Sequence, residues 1–259
     1  MRHRFLLSLL LIICEPSLFA QNQYNFSQFG NETWSFIKQP TKWDGSDWLK
    51  IGLTGAGTFL IIQVDQPIRD VVVKDQRYYM SVPIEFGRMW GELYTPVLLF
   101  GGFAAHSLLT GDIGTRKIAY EIAQASLYAG TVDKLLNIAI GRARPYVNEG
   151  SKSFHPFSPL SFKQDYQSLP GGHNVVAFMV STVLSRNAKP VWLKAIAYVP
   201  AALTLVSRVY QDRHWTSDDF LGAAVGYFVA TWVVDRHEQE ENRIQVSSVF
   251  PLTISIALD

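Results

Sequence analysis

The sequence predicts an all-α protein: a bundle of about six apolar helices, embedded in a membrane, with its polar chemistry in loops at one end. Three observations predict this. Apolar stretches long enough for helices recur at roughly 49–62, 94–109, 118–140, 175–184, 191–206 and 220–234. Gly and Ala are frequent inside them, as at Gly101, Gly102, Ala104 and Ala105 and again at Gly222, Ala223, Ala224 and Gly226, a composition that lets membrane helices approach closely. Hydrophobic residues make up 48% of the chain and charged residues only 17%, an apolar balance for a domain of this size. The formal net charge of +1 provides no field for a polyanion and argues against a nucleic-acid partner.

Taken in order, residues 1–20 read as a secretory signal. Arg2 and Arg4 form a positive start, Phe5 to Cys14 an apolar run, and Ala20 a small residue before Gln21. That run is short for a bilayer span, which takes about 20 residues. Cys14 is the single cysteine, so disulfides and cysteine metal sites are ruled out. Residues 21–47 are polar and read as an exposed lead-in. Residues 48–236 form the helical domain. None of its stretches is cleanly apolar: 118–140 carries Glu121, Gln124, Asp133 and Lys134, and the mean hydropathy is a modest +0.07. Residues 237–259 form a tail, within which 244–258 alternates in a strand-like way. Three apolar stretches precede the loop at Arg144, so a cleaved signal and six crossings would face that loop inward. Three readings resolve this: one early stretch, the short 49–62 above all, stays out of the membrane, or the signal reading does not hold, or the site faces inward.

Two polar connections, 142–172 and 210–218, concentrate Arg, His and Asp, and loops carry function more often than scaffold does. In 207–218, Arg208 offers a permanent cation whose planar fork suits phosphate oxygens. His214 and Asp218 lie four apart, so on a helix they share a face. A carboxylate on one ring nitrogen would leave the other free to attack. The same spacing also fits a loop histidine beside a helix-capping aspartate. In 169–174, Gly171 and Gly172 precede a helix start, where backbone N–H groups and the helix dipole favour an anion. His173 there could protonate a leaving oxygen, or simply cap the helix. At the end of the 118–140 helix, Arg142 and Arg144 can bind anions or act as C-terminal helix cations.

With these three stretches in this order, the chain resembles the type-2 phosphatidic acid phosphatase family, whose superfamily also takes in vanadium haloperoxidases and bacterial acid phosphatases. Its motifs are Lys, six residues, Arg-Pro; Pro-Ser-Gly-His; and Ser-Arg, five residues, His, three residues, Asp. The third is matched in full by Ser207, Arg208, His214 and Asp218. The first is matched by Arg144 and Pro145, with Asn137 where lysine is expected. The second is matched by Pro170, Gly172 and His173, with Gly171 in place of serine. The motif region is 134–218, within a likeness running from about residue 90 to 235.

The resemblance implies a metal- and cofactor-independent phosphatase acting on a phosphomonoester or pyrophosphate, of a lipid above all. His214 would attack phosphorus to form a phosphohistidine, Asp218 would orient it, and His173 would protonate the leaving alcohol. Arg144, Arg208, Gly171, Gly172 and Asn137 would hold the phosphate. Lys134, one helical turn before Asn137, is the candidate to replace the missing lysine, and Arg142 is expected to point away. The implied partners are a phosphorylated lipid or another small phosphate ester, and the membrane. The implied place is the inner membrane of a bacterial envelope. Two alternatives stand beside this: an impaired relative that only binds phosphate or a lipid head group, and a vanadium-dependent haloperoxidase.

Overall fold

The computed structural model describes residues 22–248, so the signal reading of 1–20 and the chain beyond Ser248 lie outside the described residues. Asn25 caps α1 (Phe26–Ile37) by accepting the Gln28 N–H. Asp44 and Asp47 form a capping box at the start of α2 (Gly45–Ile62). Two short helices follow, α3 (Asp65–Val72) and α4 (Val82–Trp90). α5 (Tyr94–Thr110) ends on left-handed Gly111. α6 (Ile113–Ile140) is capped by Asp112 and ends on left-handed Gly141. A loop with three short 3-10 turns leads to α7 (Gly172–Asn187), and α8 (Val191–Ile196), α9 (Val199–Tyr210) and α10 (Thr216–Ser248) complete the described chain. Among the described residues there are helices and no strands, as the sequence predicts.

The core lies where α6, α7 and α10 meet, at Ile122, Ala125, Tyr128, Val175, Met179, Val183, Ala230 and Val233. Polar side chains are also buried there, among them Gln124, Ser181, Thr182 and Asp219, while Leu53, Leu60, Leu98, Leu127, Leu135 and Val206 face outward. The outward apolar side chains are more than a water-soluble domain usually exposes. By length and composition, Val191–Tyr210 is apolar enough to cross a bilayer, and the pair α4 and α5, bent by 69°, passes the same test only if the two are taken together as one span. α2 lies alongside α10 and reaches the site end at Asp65, just beyond its C-terminus.

Most of 22–47 is exposed, but one face of α1 is docked. Phe29, Glu32 and Phe36 share one face of α1, and that face packs on α6 and α10. Phe36 stacks on Tyr128 with ring centres 4.4 Å apart, and Glu32 accepts from Gln124 Nε2 at 2.8 Å. His237 of α10 sits between Glu32, at 3.3 Å, and Glu121, at 3.0 Å. It lies about 32 Å along α10 from Thr216 at 1.5 Å per residue, so this clasp holds the end remote from the motifs. The boundary at 236 is not structural. α10 continues unbroken to Ser248, so 244–248 is helical rather than strand-like. The Glu, Gln and Arg residues of 236–245 are strong helix formers that extend an existing helix cheaply.

Candidate active site

α9 ends at Tyr210, and a tight turn precedes α10. Asp212 takes a positive φ of 56°, which aspartate tolerates, and Arg69 Nε holds its carboxylate at 2.7 Å. The N–H groups of Arg213 and His214 donate back to the Arg208 carbonyl at 3.0 and 3.3 Å. The turn thereby folds His214 over the end of α9, where its ring is 1% exposed.

His214 Nδ1 lies 3.0 Å from the Ser168 carbonyl oxygen. A carbonyl only accepts, so Nδ1 carries the proton and Nε2 keeps its lone pair. Nε2 is buried without a hydrogen-bond partner. Burial, and then the Arg144 guanidinium, hold the imidazole pKa down at about 3, so the ring is a neutral nucleophile.

Asp218 does not pair directly with His214, as the sequence leads one to expect; its Oδ2 is 3.8 Å from Nδ1. Being in the first turn of α10, that oxygen instead accepts the Trp215 N–H at 2.8 Å and the Ser168 hydroxyl. Its influence on His214 passes through Ser168, which binds Asp218 by its hydroxyl and His214 by its carbonyl.

Arg142 neither faces an anion site nor points away. It is fully buried and donates to Asp218 Oδ1 at 2.6 Å, Asp65 Oδ2 at 2.8 Å and Ser217 Oγ at 2.7 Å. Gly141 causes this: its left-handed φ of 62° ends α6 before Arg142 and turns the chain inward against His155, where a Cβ would collide with the carbonyl. Burial alone would raise the Asp218 pKa, but Arg142, His214 and Ser168 together outweigh it and keep the carboxyl below its ordinary value.

Arg144 acts on both His214 and His173, and Arg208 on His173. Arg144 Nε donates to the Gln164 carbonyl at 3.0 Å and Nη2 to that of Gln167 at 3.3 Å. Arg208 is 3% exposed, and its Nε is buried with no acceptor. His173, in the first turn of α7, places its ring centre 5.9 Å from that of His214. The sequence-predicted set His214, His173, Asp218, Arg144 and Arg208 therefore converges at one end of the bundle.

The glycines divide the work. The Gly172 N–H, in the first turn of α7, has no acceptor among the described residues and is open to an anion. The Gly171 N–H is not open, because it donates to the Asp218 carbonyl at 2.8 Å. A Cβ on Gly171 would come within 2.8 Å of Asp219 Oδ1 and 3.2 Å of the Asp218 carbonyl oxygen. The Asp219 carboxyl thus fills the space beside residue 171. Gly171→Ser is expected to destabilise the protein by about 1–3 kcal/mol through overpacking, and adding Asp219→Ala should recover much of that. Thermal unfolding of the two variants tests it.

The two positions linked to the missing lysine also differ from expectation. Asn137 Nδ2 donates to Asp133 Oδ1 at 3.0 Å and to the Pro170 carbonyl at 3.3 Å, so its donor ties α6 to the start of α7. The side chain meeting Asn137 is Asp133, four residues before it, not Lys134. Lys134 is exposed and its Nζ donates to Gln167 Oε1 at 2.6 Å. Sequence reasoning missed Ser168, Asp65 and Asp219. Ser168 adjoins the Pro170 motif but carries no type-level signal, and Asp65 lies far upstream. Asp219 adjoins a motif residue; its carboxyl is buried without a partner, and burial and then Asp218 push its pKa well up.

A lone pair on a buried imidazole, two guanidiniums, a helix N-terminus and a second imidazole together suit a tetrahedral oxyanion attacked from one side and protonated on the other. Residues 120–241 match the model of the PAP2 superfamily. A lipid A 1-phosphatase of Porphyromonas gingivalis is 35% identical over 94 residues, which is 34% of this chain and 21% of that protein. A lipid A 1-phosphatase of Rhizobium johnstonii is 33% identical over 153 residues, 54% of this chain and 59% of that one. The chain therefore spans less than two thirds of the length of either relative. The crystal structure of a transmembrane PAP2-type phosphatidylglycerolphosphate phosphatase from Bacillus subtilis superposes with a TM-score of 0.52 at 17% identity, covering 73% of this chain and 96% of that one. That of Aquifex aeolicus LpxE gives 0.48 at 17% identity, covering 66% and 95%. Three motifs in order, the helical bundle that gathers them and the family match agree: residues 120–241 of the chain are matched by the PAP2 superfamily.

Proposed function

We propose that the protein is a phosphatase that removes a phosphate monoester from a membrane lipid of the lipid A 1-phosphate class, by way of a phosphohistidine on His214. The observation that carries this is the unprotonated, unpartnered Nε2 of His214 within the field of Arg144, with Arg208 acting on the neighbouring His173. Nε2 attacks phosphorus, and the P–O bond to the lipid breaks as His173 gives its proton to the leaving oxygen. Water then attacks the phosphohistidine, His173 takes the water proton, and the P–N bond breaks to release inorganic phosphate. Arg144, Arg208 and the α7 amides carry the charge that builds on the phosphoryl oxygens, so no metal is assigned a part.

The lipid reading has two further supports. The matched curated relatives bear the name lipid A 1-phosphatase. An apolar cavity of about 870 Å³ adjoins the site, reaching Thr216 and Asp219 and lined by Ile61, Phe178, Leu205, Phe220 and Phe228. With its outward apolar faces, the bundle belongs in a bacterial membrane. Asn22, bonded to the His237 carbonyl, then lies on the opposite side from the site. Purified protein in detergent micelles is expected to release inorganic phosphate from lipid A faster than from a short water-soluble alkyl phosphate. Equal rates would end the lipid assignment. One observation favours an impaired phosphate-binding relative instead: the position of the motif lysine is held by Asn137, whose donor is engaged. Binding of inorganic phosphate with no turnover of either substrate would establish that reading.

A further inference from the structure

The proton donor His173 is supported by a residue that lies in none of the three motifs. α4 stops at Trp90 and α5 starts at Tyr94, and Gly91, Glu92 and Leu93 form the elbow between them. The elbow is pressed onto His173: a Cβ on Gly91 would stand 2.7 Å from the His173 carbonyl oxygen and 2.8 Å from its Cβ. Trp90 Nε1 donates to Ser181 Oγ at 3.2 Å, and Thr204 Oγ1 donates to the Gly87 carbonyl at 2.7 Å, tying α4 to α7 and α9. From this braced position Glu92 Oε1 reaches 3.4 Å from His173 Nε2. Arg88 donates to Glu92 at 3.2 Å and to Glu85 at 2.8 Å, and Gln211, three residues before His214, donates to Glu85 at 2.8 Å. His173 Nδ1 has no hydrogen bond to protein among the described residues.

Resting on the phosphatase reading, we infer that Glu92 is a positioning residue for the proton donor: it anchors the Nε2 proton of His173 and so presents Nδ1–H to the leaving oxygen. The logic parallels that of His214, whose free nitrogen is decided by the Ser168 carbonyl. For His173 the charge state matters as well. The other groups that face it are the guanidiniums of Arg144 and Arg208 and the ring of His214. Burial first, and those guanidiniums, push its pKa below the ordinary value, and Glu92 pulls the other way. With Nε2–H anchored, the imidazolium donates from Nδ1 in the first step. The neutral ring then offers the Nδ1 lone pair to water in the second. Without the carboxylate, the ring is neutral and unanchored, and an alkoxide must leave unprotonated.

The test uses the full chain and compares kcat/KM for an alkyl lipid phosphate with that for p-nitrophenyl phosphate, whose leaving group needs no proton. It does so across pH for wild type, Glu92→Gln and Glu92→Asp. kcat/KM isolates the first phosphoryl transfer. In Glu92→Gln, the ratio of lipid to aryl kcat/KM should fall roughly 10²-fold, the lower range for losing general acid catalysis. The alkaline limb for the lipid should move to lower pH, as His173 loses its proton more readily, and Glu92→Asp should recover part of both effects. An equal fall on the two substrates with an unmoved limb overturns the inference and leaves Glu92 a structural residue, as does an unchanged ratio. The phosphatase reading fails separately, and takes the inference with it, if wild type turns over neither substrate faster than His214→Ala.

Discussion

His214→Ala should reduce phosphate release by about 10⁴-fold or more, the scale seen when a covalent nucleophile is removed. His214 Nε2 is fully buried and without a hydrogen-bond partner, beside Arg144. The variant should also fail to accumulate a labelled phosphoprotein when wild type, quenched during turnover of a phosphate-labelled lipid, yields an acid-labile, base-stable one. The pH dependence sharpens this. With a pKa of about 3, His214 gains a proton only in strong acid, so the nucleophile stays available above about pH 4. Any loss of rate between neutrality and that point must come from another group or from the substrate. A wild-type acid limb near the ordinary histidine value that tracks phosphoenzyme formation would show that His214 is less buried during catalysis. Persistence of the phosphoprotein in His214→Ala would remove it from the mechanism.

Arg142→Ala should be far more damaging than Lys134→Ala, the reverse of the order expected from helical spacing. Arg142 is fully buried and ion-paired to both Asp65 and Asp218. Its removal leaves two carboxylates in a dry site without their cation, and breaking such a buried pair costs about 3–5 kcal/mol. The freed Asp218 would also lose its hold on Ser168 and hence on the His214 tautomer, so stability and turnover should fall together. Arg142→Lys keeps the charge but cannot reproduce the fork between Asp218 and Asp65; it should recover part of the stability and less of the rate. Lys134→Ala removes an exposed hydrogen bond to Gln167, an interaction worth less than about 1 kcal/mol. Thermal unfolding together with kcat on the lipid decides the matter. A Lys134→Ala variant with a rate loss as large as that of Arg142→Ala would restore Lys134 as the replacement for the motif lysine.

The sequence alone determined which chemistry-bearing residues are present and their local arrangement. Arg208 and His214 fall within one helix end and one turn, where the number of intervening residues dictates what can meet. The same holds for His173 at the start of α7. Six helical stretches were legible from apolar length and composition, whereas α1, α3 and α4, short or polar, were not, and the loop positions of the arginines were legible because prolines and glycines break the chain around them. What only the tertiary structure decided was which partner each group takes. Helical spacing puts Asp218 on the face of His214, but the Ser168 carbonyl, brought in from another segment, is nearer and accepts the Nδ1–H hydrogen bond. Spacing counted through Gly141 fails for Arg142, because a left-handed residue resets the direction of the chain. Composition made 21–47 look solvent-exposed, yet three of its side chains find a groove between α6 and α10 that does not exist until the bundle forms. Glu92 and Asp65 reach the site from remote segments for the same reason. A hydrogen bond or a burial-driven pKa depends on what approaches through space, and the sequence records only what is adjacent along the chain.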